Sequence, residues 1–341
     1  GSEGVDGAGS VSTVFLTGGT GVIGSHVAER LRRRGDAVVA LVRPSSDARH
    51  LEALGCELAV GDLADPPEAL AARVRGADAV VHAAAKVFQA GSRAEYLRVN
   101  VEGTERMLAA AARAGPRFVH LSSVAVYAGL PMDAPLTEDR WTEADPARQN
   151  RYAASKHLSE RAAWRAHEAG DVRLTTVRPS VVYGERDRSA TPVLVRYASL
   201  PIVPLVDGGR HTLPVVYAGN VARGVVAALD RPDSVGRAYN LALDAPVTGR
   251  ELAELIARGL GRRLRTVSVP ATPLRSLATA IDAAARAIPG LRPPDLRRAA
   301  RSLAVDNPYD SARARLELGW SGLVPHAEGV RRTMAWWRER G

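Results

Sequence analysis

Residues 11–24 read Val-Ser-Thr-Val-Phe-Leu-Thr-Gly-Gly-Thr-Gly-Val-Ile-Gly, an apolar run that closes in a cluster of glycines. The run Val11–Gly18 is short and rich in β-branched residues, which predicts a buried strand. The following stretch, GSHVAERLRRRG from Gly24 to Gly35, has the apolar spacing and the closing glycine of a helix. The turn between them holds Gly18, Thr20, Gly21, Val22, Ile23 and Gly24. Glycines at 18, 21 and 24 permit a tight turn, close approach of a pyrophosphate and close packing of helix on strand. The helix start then points unpaired backbone N–H groups at the phosphates. A glycine cluster alone is equally an ordinary turn. The strand before it and the helix after it select a dinucleotide cofactor.

The rhythm continues outward. AVVALVR (37–43), CELAVGD (56–62), ADAVVHAAA (77–85), RFVHLSS (117–123) and RLTTVRP (173–179) are strand candidates separated by helical patterns. This β-α alternation predicts an α/β fold, a doubly wound parallel sheet. After Pro179 the rhythm breaks up, and a smaller, mostly helical C-terminal substrate lobe is expected. The expected division is a tail over 1–11 and a dinucleotide-binding domain over 12–178, to which 212–245 returns. The lobe is then formed by 179–211 and 246–341.

Composition limits the function classes. The 341 residues are 46% hydrophobic but only 5% aromatic, so the core must rest on Ala, Val and Leu. A lone cysteine, Cys56, excludes an internal disulfide framework and fits a reducing, cytoplasmic setting. No metal is expected, and no apolar run reaches the length of a membrane span. The net charge is +9, yet only two of the 46 basic residues are lysines, Lys86 and Lys156. Scattered arginines in that proportion reflect a compositional bias rather than a patch for nucleic acid. In such a chain a retained lysine raises a chemical question.

Cofactor choice is set after the second strand, which ends Ala40-Leu41-Val42-Arg43-Pro44-Ser45-Ser46 without an acid. An acidic side chain there would accept from the ribose hydroxyls and repel a 2′-phosphate. Arg43 can instead pair with such a phosphate, and Ser45 or Ser46 can add hydroxyls. NADP(H) is therefore favoured over NAD(H), the other account of Arg43 being one more surface arginine.

Tyr152-Ala-Ala-Ser-Lys156 puts a phenol and an ammonium four residues apart, on one face of a helix. The ammonium favours the phenolate, so the phenol can donate or accept a proton near neutral pH. Lys156 can also bond the nicotinamide ribose. Ser123 ends the strand RFVHLSS, and strand ends in such sheets face the ligand crevice. Its hydroxyl can hold the substrate oxygen whose charge changes.

With these residues in view, the chain resembles the extended short-chain dehydrogenase/reductase superfamily. The motifs that carry the resemblance are TGGTGVIG, GDL (61–63), HAAA (82–85), NVEGT (100–104), LSSVAVY (121–127), YAASK, RPSVVYGE (178–185) and ELGW (317–320). The resemblance implies Tyr152 as acid/base, Lys156 as its helper and Ser123 as the binder of the substrate oxygen. Ser123 is preferred to Ser122 because it stands four before Tyr127. It further implies that Asp62 and Leu63 flank the adenine, that Ala83 and Ala84 line the adenosine side, and that Pro179 and Val182 border the nicotinamide. Asn100 is expected to brace a helix, and His82 to pack a strand rather than catalyse. A homodimer through helices of the nucleotide-binding domain is also implied.

Lys86 follows HAAA at the expected mouth of the site, either touching cofactor or substrate or standing as an exposed loop lysine. Within the superfamily, RPSVVYGE and Tyr217-Ala-Gly-Asn-Val-Ala222 look like the 3β-hydroxysteroid and sterol dehydrogenases and the dihydroflavonol-type reductases. That implies a ketone/secondary-alcohol couple on a mostly apolar substrate. The alternative is a sugar-nucleotide epimerase or dehydratase, whose members usually carry an asparagine after an arginine-tyrosine-phenylalanine stretch, where this chain has Arg178-Pro179-Ser180. Leu274, Leu277, Ala278, Ile281, Ala285 and Ile288 have helical apolar spacing. That helix faces a core, covers an apolar pocket or rests on a membrane. Trp336 and Trp337 are expected to pack the last helix.

Overall fold

The computed structural model describes residues 12–87, 90–273, 276, 303–321 and 323–339. The N-terminal tail and the residues from Leu274 to Ile288, for which an apolar helix is expected, lie outside the described residues, Ser276 apart. The opening apolar run forms β1 (Thr13–Thr17), and the helix after the glycines is α1 (Val22–Arg33). Then come β2 (Ala37–Val42), α2 (Arg49–Ala53), β3 (Glu57–Val60), α3 (Pro67–Val74) and β4 (Ala79–His82). Next are α4 (Arg93–Leu97), α5 (Gly103–Ala114), β5 (Arg117–Leu121), α6 (Arg151–Glu168) and β6 (Arg173–Pro179).

Among the described residues the main sheet has seven parallel strands, ordered β3-β2-β1-β4-β5-β6-β10, where β10 is Arg237–Leu241. The order reverses between β1 and β4, so the ligand crevice opens at their C-terminal ends, where Thr17 and His82 are register partners. Strand β4 is buried along its whole length, as expected of a sheet covered on both faces. On one face Val27 and Leu31 of α1 pack with Val221 and Val225 of α8 (Ala218–Asp230). On the other, Leu70, Met107, Leu108 and Ala163 bring α3, α5 and α6 onto Phe15, Val80 and Phe118.

The second lobe is built from α7 (Ala190–Ala198), α9 (Gly249–Gly259) and α11 (His326–Arg338) around Tyr183, Val195, Tyr217, Ile256 and Met334. Helix α10 (Ala312–Leu318) and Trp320 close on the nucleotide-binding side instead, with Trp320 donating to the Asn220 carbonyl at 2.8 Å. Trp337 packs against the lobe core as expected, and Trp336 stands 6.5 Å from it ring to ring. The sequence pattern passed over two short strand pairs. β7 (Val181–Tyr183) pairs with β9 (Val215–Tyr217), and β8 (Val203–Val206) pairs with β11 (Thr266–Val269). Each is three or four residues long, too short to print an alternation.

At the glycine turn, steric need is specific. Gly18 has φ +72°, and a Cβ there would lie 2.6 Å from the Ala84 nitrogen. A Cβ on Gly24 would collide with the Gly18 carbonyl. We expect Gly24→Ala to cost about 1–3 kcal/mol of stability through that overpacking, and to weaken cofactor binding as the turn opens. Thermal unfolding and a cofactor titration check both; an alanine variant with unchanged values contradicts this reading of the turn.

Candidate active site

The glycine turn sits against the end of β4. Ala83 N–H donates to the Thr17 carbonyl at 3.2 Å, and Ala84 N–H to the Thr17 hydroxyl at 3.2 Å. Gly18, Ala83 and Ala84 are thereby one surface. Gly21 caps α1 without a side-chain hydrogen bond, and the first turn of α1 holds no acidic residue. The positive end of the helix is left for a ligand, so the cradle fits a pyrophosphate. Arg186, at φ +66°, reaches this end from the segment after β7, donating to the Ser25 hydroxyl at 2.9 Å and to Glu29 at 3.0 Å. Nothing in the sequence marks that contact.

Arg43 stands exposed where β2 ends, in a turn closed by Ser46 N–H donating to its carbonyl at 2.9 Å, with Ser45 exposed beside it. Among the described residues its guanidinium makes no hydrogen bond or ion pair. Asp62 lies next to this turn, since Gly61 N–H donates to the Val42 carbonyl at 2.9 Å. Leu63 packs on α5 at Gly103. Pro179 is buried at the end of β6, and Val182 on β7 packs against the α1-side core.

The proton-handling groups come from two elements. Lys156 is buried in α6 and its ammonium donates to the Leu121 carbonyl at 2.5 Å, at the end of β5. Two residues on, Ser123 caps a 3₁₀ turn over Val124–Tyr127, its hydroxyl accepting from Ala125 N–H at 3.1 Å. The serine oxygen keeps its own hydrogen to donate. Tyr152 is half-buried in the first turn of α6, where Asn150 caps the helix by accepting from Ala153 N–H at 3.0 Å. Its ring meets Tyr96 edge to face, 6.5 Å between centroids. The sequence offered no sign of Tyr96.

Lys86 is held by Asn100, whose side chain accepts from Lys86 N–H at 2.7 Å and donates to its carbonyl at 3.1 Å. The same amide donates to the Ser155 hydroxyl on α6 at 2.8 Å, which is the bracing role expected of Asn100. It sits in a π-helical turn, Arg98–Glu102, between α4 and α5. The Lys86 ammonium lies 5.7 Å from the Tyr96 ring centre. A cation therefore stands one ring away from Tyr152. Both ring nitrogens of His82 are taken up by buried hydrogen bonds, to the Thr17 hydroxyl at 2.8 Å and to that of Thr104 at 3.0 Å.

Burial dominates the electrostatics here. It pushes Lys156 down from 10.5 to about 8, against a smaller opposing pull from Glu160. His82 falls to about 3, first through burial and then through Lys156, so it is neutral at pH 7.

The chain is similar to known proteins. Residues 14–242 match the model of the NAD dependent epimerase/dehydratase family. The 4-hydroxy-2-methyl-3-oxo-4-farnesyl-3,4-dihydroquinoline-1-oxide ketoreductase of Stigmatella aurantiaca is 33% identical, over 93% of this chain and 94% of its own. The 2-alkyl-3-oxoalkanoate reductase of Stenotrophomonas maltophilia is 31% identical, over 94% and 98%. The crystal structure of gox2253 superposes with a TM-score of 0.82 at 28% identity, covering 97% of this chain and 99% of that one.

The lysine gives a pH-dependent prediction for the free protein. Between about pH 8 and 10.5 the unfolded chain keeps a proton that folded Lys156 has lost, so stability from this group rises with pH across that window. The melting temperature of Lys156→Met minus that of the wild type should therefore fall steadily from pH 8 to 10.5. A difference that stays constant over the window contradicts the buried-ammonium account.

Proposed function

The chain belongs to the NAD dependent epimerase/dehydratase family, the extended short-chain dehydrogenases/reductases, and from that premise we propose that it reduces a ketone to a secondary alcohol on a mostly apolar substrate. It is an NAD(P)-dependent oxidoreductase. The observation that carries the reading is the Lys156 ammonium, fixed at the Leu121 carbonyl one helical turn after Tyr152 and two residues before Ser123. A bound nicotinamide supplies the hydride. The chain supplies the proton, from the Tyr152 phenol to the carbonyl oxygen, while the Ser123 hydroxyl donates a hydrogen bond to that same oxygen. Lys156 holds positive charge beside the phenol and contacts the nicotinamide ribose.

The names of the relatives support the substrate class, since each is a reductase of an oxo group on an alkyl- or farnesyl-bearing molecule. Lys86 adds a cation at the mouth of the site, within reach of substrate. The exposed Arg43, with Ser45, supports NADP(H) over NAD(H). The remaining cofactor contacts of the proposal are the glycine turn, Asp62 and Leu63 at the adenine, Ala83 and Ala84 at the adenosine, and Pro179 and Val182 at the nicotinamide. A homodimer, cytoplasmic residence and the division at residue 178 belong to the same proposal.

Among the described residues no helix is long and apolar enough to cross a membrane. Against a sugar-nucleotide substrate stands Ser180, whose hydroxyl is already donated to the Ala242 carbonyl at 3.2 Å. A site that leaves a diphosphate and sugar hydroxyls unpaired rejects them strongly.

Tyr152→Phe should lower turnover by about 10²–10⁴-fold while cofactor affinity stays near the wild-type value, because only the proton path is removed. Wild-type turnover in that variant would sink the assignment. NADPH should bind about ten- to a hundredfold more tightly than NADH, and Arg43→Ala should remove most of the difference. Equal wild-type affinities in titrations with both cofactors would return Arg43 to the surface arginines.

A further inference from the structure

Arg178 and Glu160 are both wholly buried, 0% exposed, and Arg178 is the arginine that the fold hides completely among the described residues. Removing two charges from water costs several kcal/mol per ion, and an apolar pair of similar volume is often as stable. Stability alone is thus a poor account of the pair. What a buried guanidinium provides is a planar fork with fixed directions. Its Nε donates to both Glu160 oxygens, at 3.0 and 3.1 Å. Its Nη1 donates to the Tyr127 hydroxyl at 2.7 Å and to the Glu138 carbonyl at 2.6 Å. Tyr127 passes the chain on, donating to Asn240 Oδ1 at 2.8 Å. The guanidinium lies 5.3 Å from the ring centres of both Tyr127 and Trp141.

The two ends of this fork meet the two halves of the candidate site. Glu160 follows Lys156 by one turn of α6, on the same face. Tyr127 closes the 3₁₀ turn that Ser123 opens and caps. We propose that Arg178 is a positioning residue, which through Tyr127 and Glu160 sets the Ser123 hydroxyl at its working distance from Tyr152 and Lys156. The proposal rests on the reading of those three residues as the catalytic set. Arg178 itself touches neither substrate nor cofactor in this account. It ties α6 to the turn behind Ser123, adding to the Lys156–Leu121 bond described above and to the contact of His157 with the Val126 carbonyl at 3.4 Å.

Tyr127→Phe is the sharpest test, since it keeps the ring against the guanidinium and removes one oxygen. Its turnover number with a reducible ketone should fall about ten- to a hundredfold, as expected for a small misplacement of a reacting group. Its NADPH dissociation constant should stay within about twofold of the wild type, because the phosphate and ribose contacts are untouched. Arg178→Lys should lose at least as much turnover, because an ammonium cannot reproduce the fork. A double-mutant cycle separates positioning from general loosening. In a Ser123→Ala background, Tyr127→Phe should cost nothing further, since the group it places is gone. Wild-type turnover in Tyr127→Phe, or its full loss repeated on top of Ser123→Ala, overturns the proposal. A Ser123→Ala enzyme at wild-type rate overturns it too, and marks the failure as that of the catalytic reading beneath it.

Discussion

A charged amine buried almost entirely from water is the constraint around which the site is organised. The Lys156 ammonium sits at the C-terminal end of a parallel sheet, where its bond to the Leu121 carbonyl ties α6 to β5. Burial opposes that charge, and the surroundings are arranged so as not to add to the opposition. The neighbouring imidazoles of His82 and His120, stacked 5.8 Å apart, are held neutral by their own burial. Glu160, one turn away, is the compensating anion, and Arg178 in turn takes up most of its hydrogen-bonding capacity. The amine is thereby kept cationic near neutral pH yet close to giving up its proton. A group in that state suits a proton-handling site better than a structural one.

The same sheet end explains why the residues proposed for the cofactor and for proton handling share one crevice. β1 delivers the glycine turn, β4 delivers Ala83 and Ala84, β5 delivers Ser123, and β6 delivers Pro179. Parallel strands place all four at one edge without any long-range folding of loops. The cross-ties then come from side chains. Asn100 joins the Lys86 segment to α6, Arg186 joins the segment after β7 to α1, and Arg178 joins α6 to the turn behind Ser123.

The sequence made the sheet legible because its central strands are buried on both faces and so appear as apolar runs, as at AVVALV and at Ala79-Val80-Val81. The glycine turn and the Tyr152/Lys156 pair were legible for another reason: each is a local arrangement whose geometry follows from spacing alone. The rest of the site was not, because it depends on residues distant in sequence. Tyr96 meets Tyr152 across 56 positions, and Arg186 meets Ser25 across 161. Glu160 lay closer to view, four residues beyond Lys156 on the same helix face, but its partner Arg178 read only as part of the RPSVVYGE run. The short strands β7, β8, β9 and β11 escaped because three or four residues carry too little pattern.

The central claim is net reduction of an apolar ketone, and it is tested most directly by following reduced-nicotinamide absorbance. The protein is mixed with NADPH and, separately, a 2-alkyl-3-oxo acid, a panel of bulky apolar ketones, and UDP-glucose at physiological salt. The account predicts stoichiometric loss of NADPH with at least one of the oxo compounds and none with UDP-glucose. Conversion of UDP-glucose with the absorbance unchanged, and no oxidation by any ketone, would contradict it and assign the site to the epimerases.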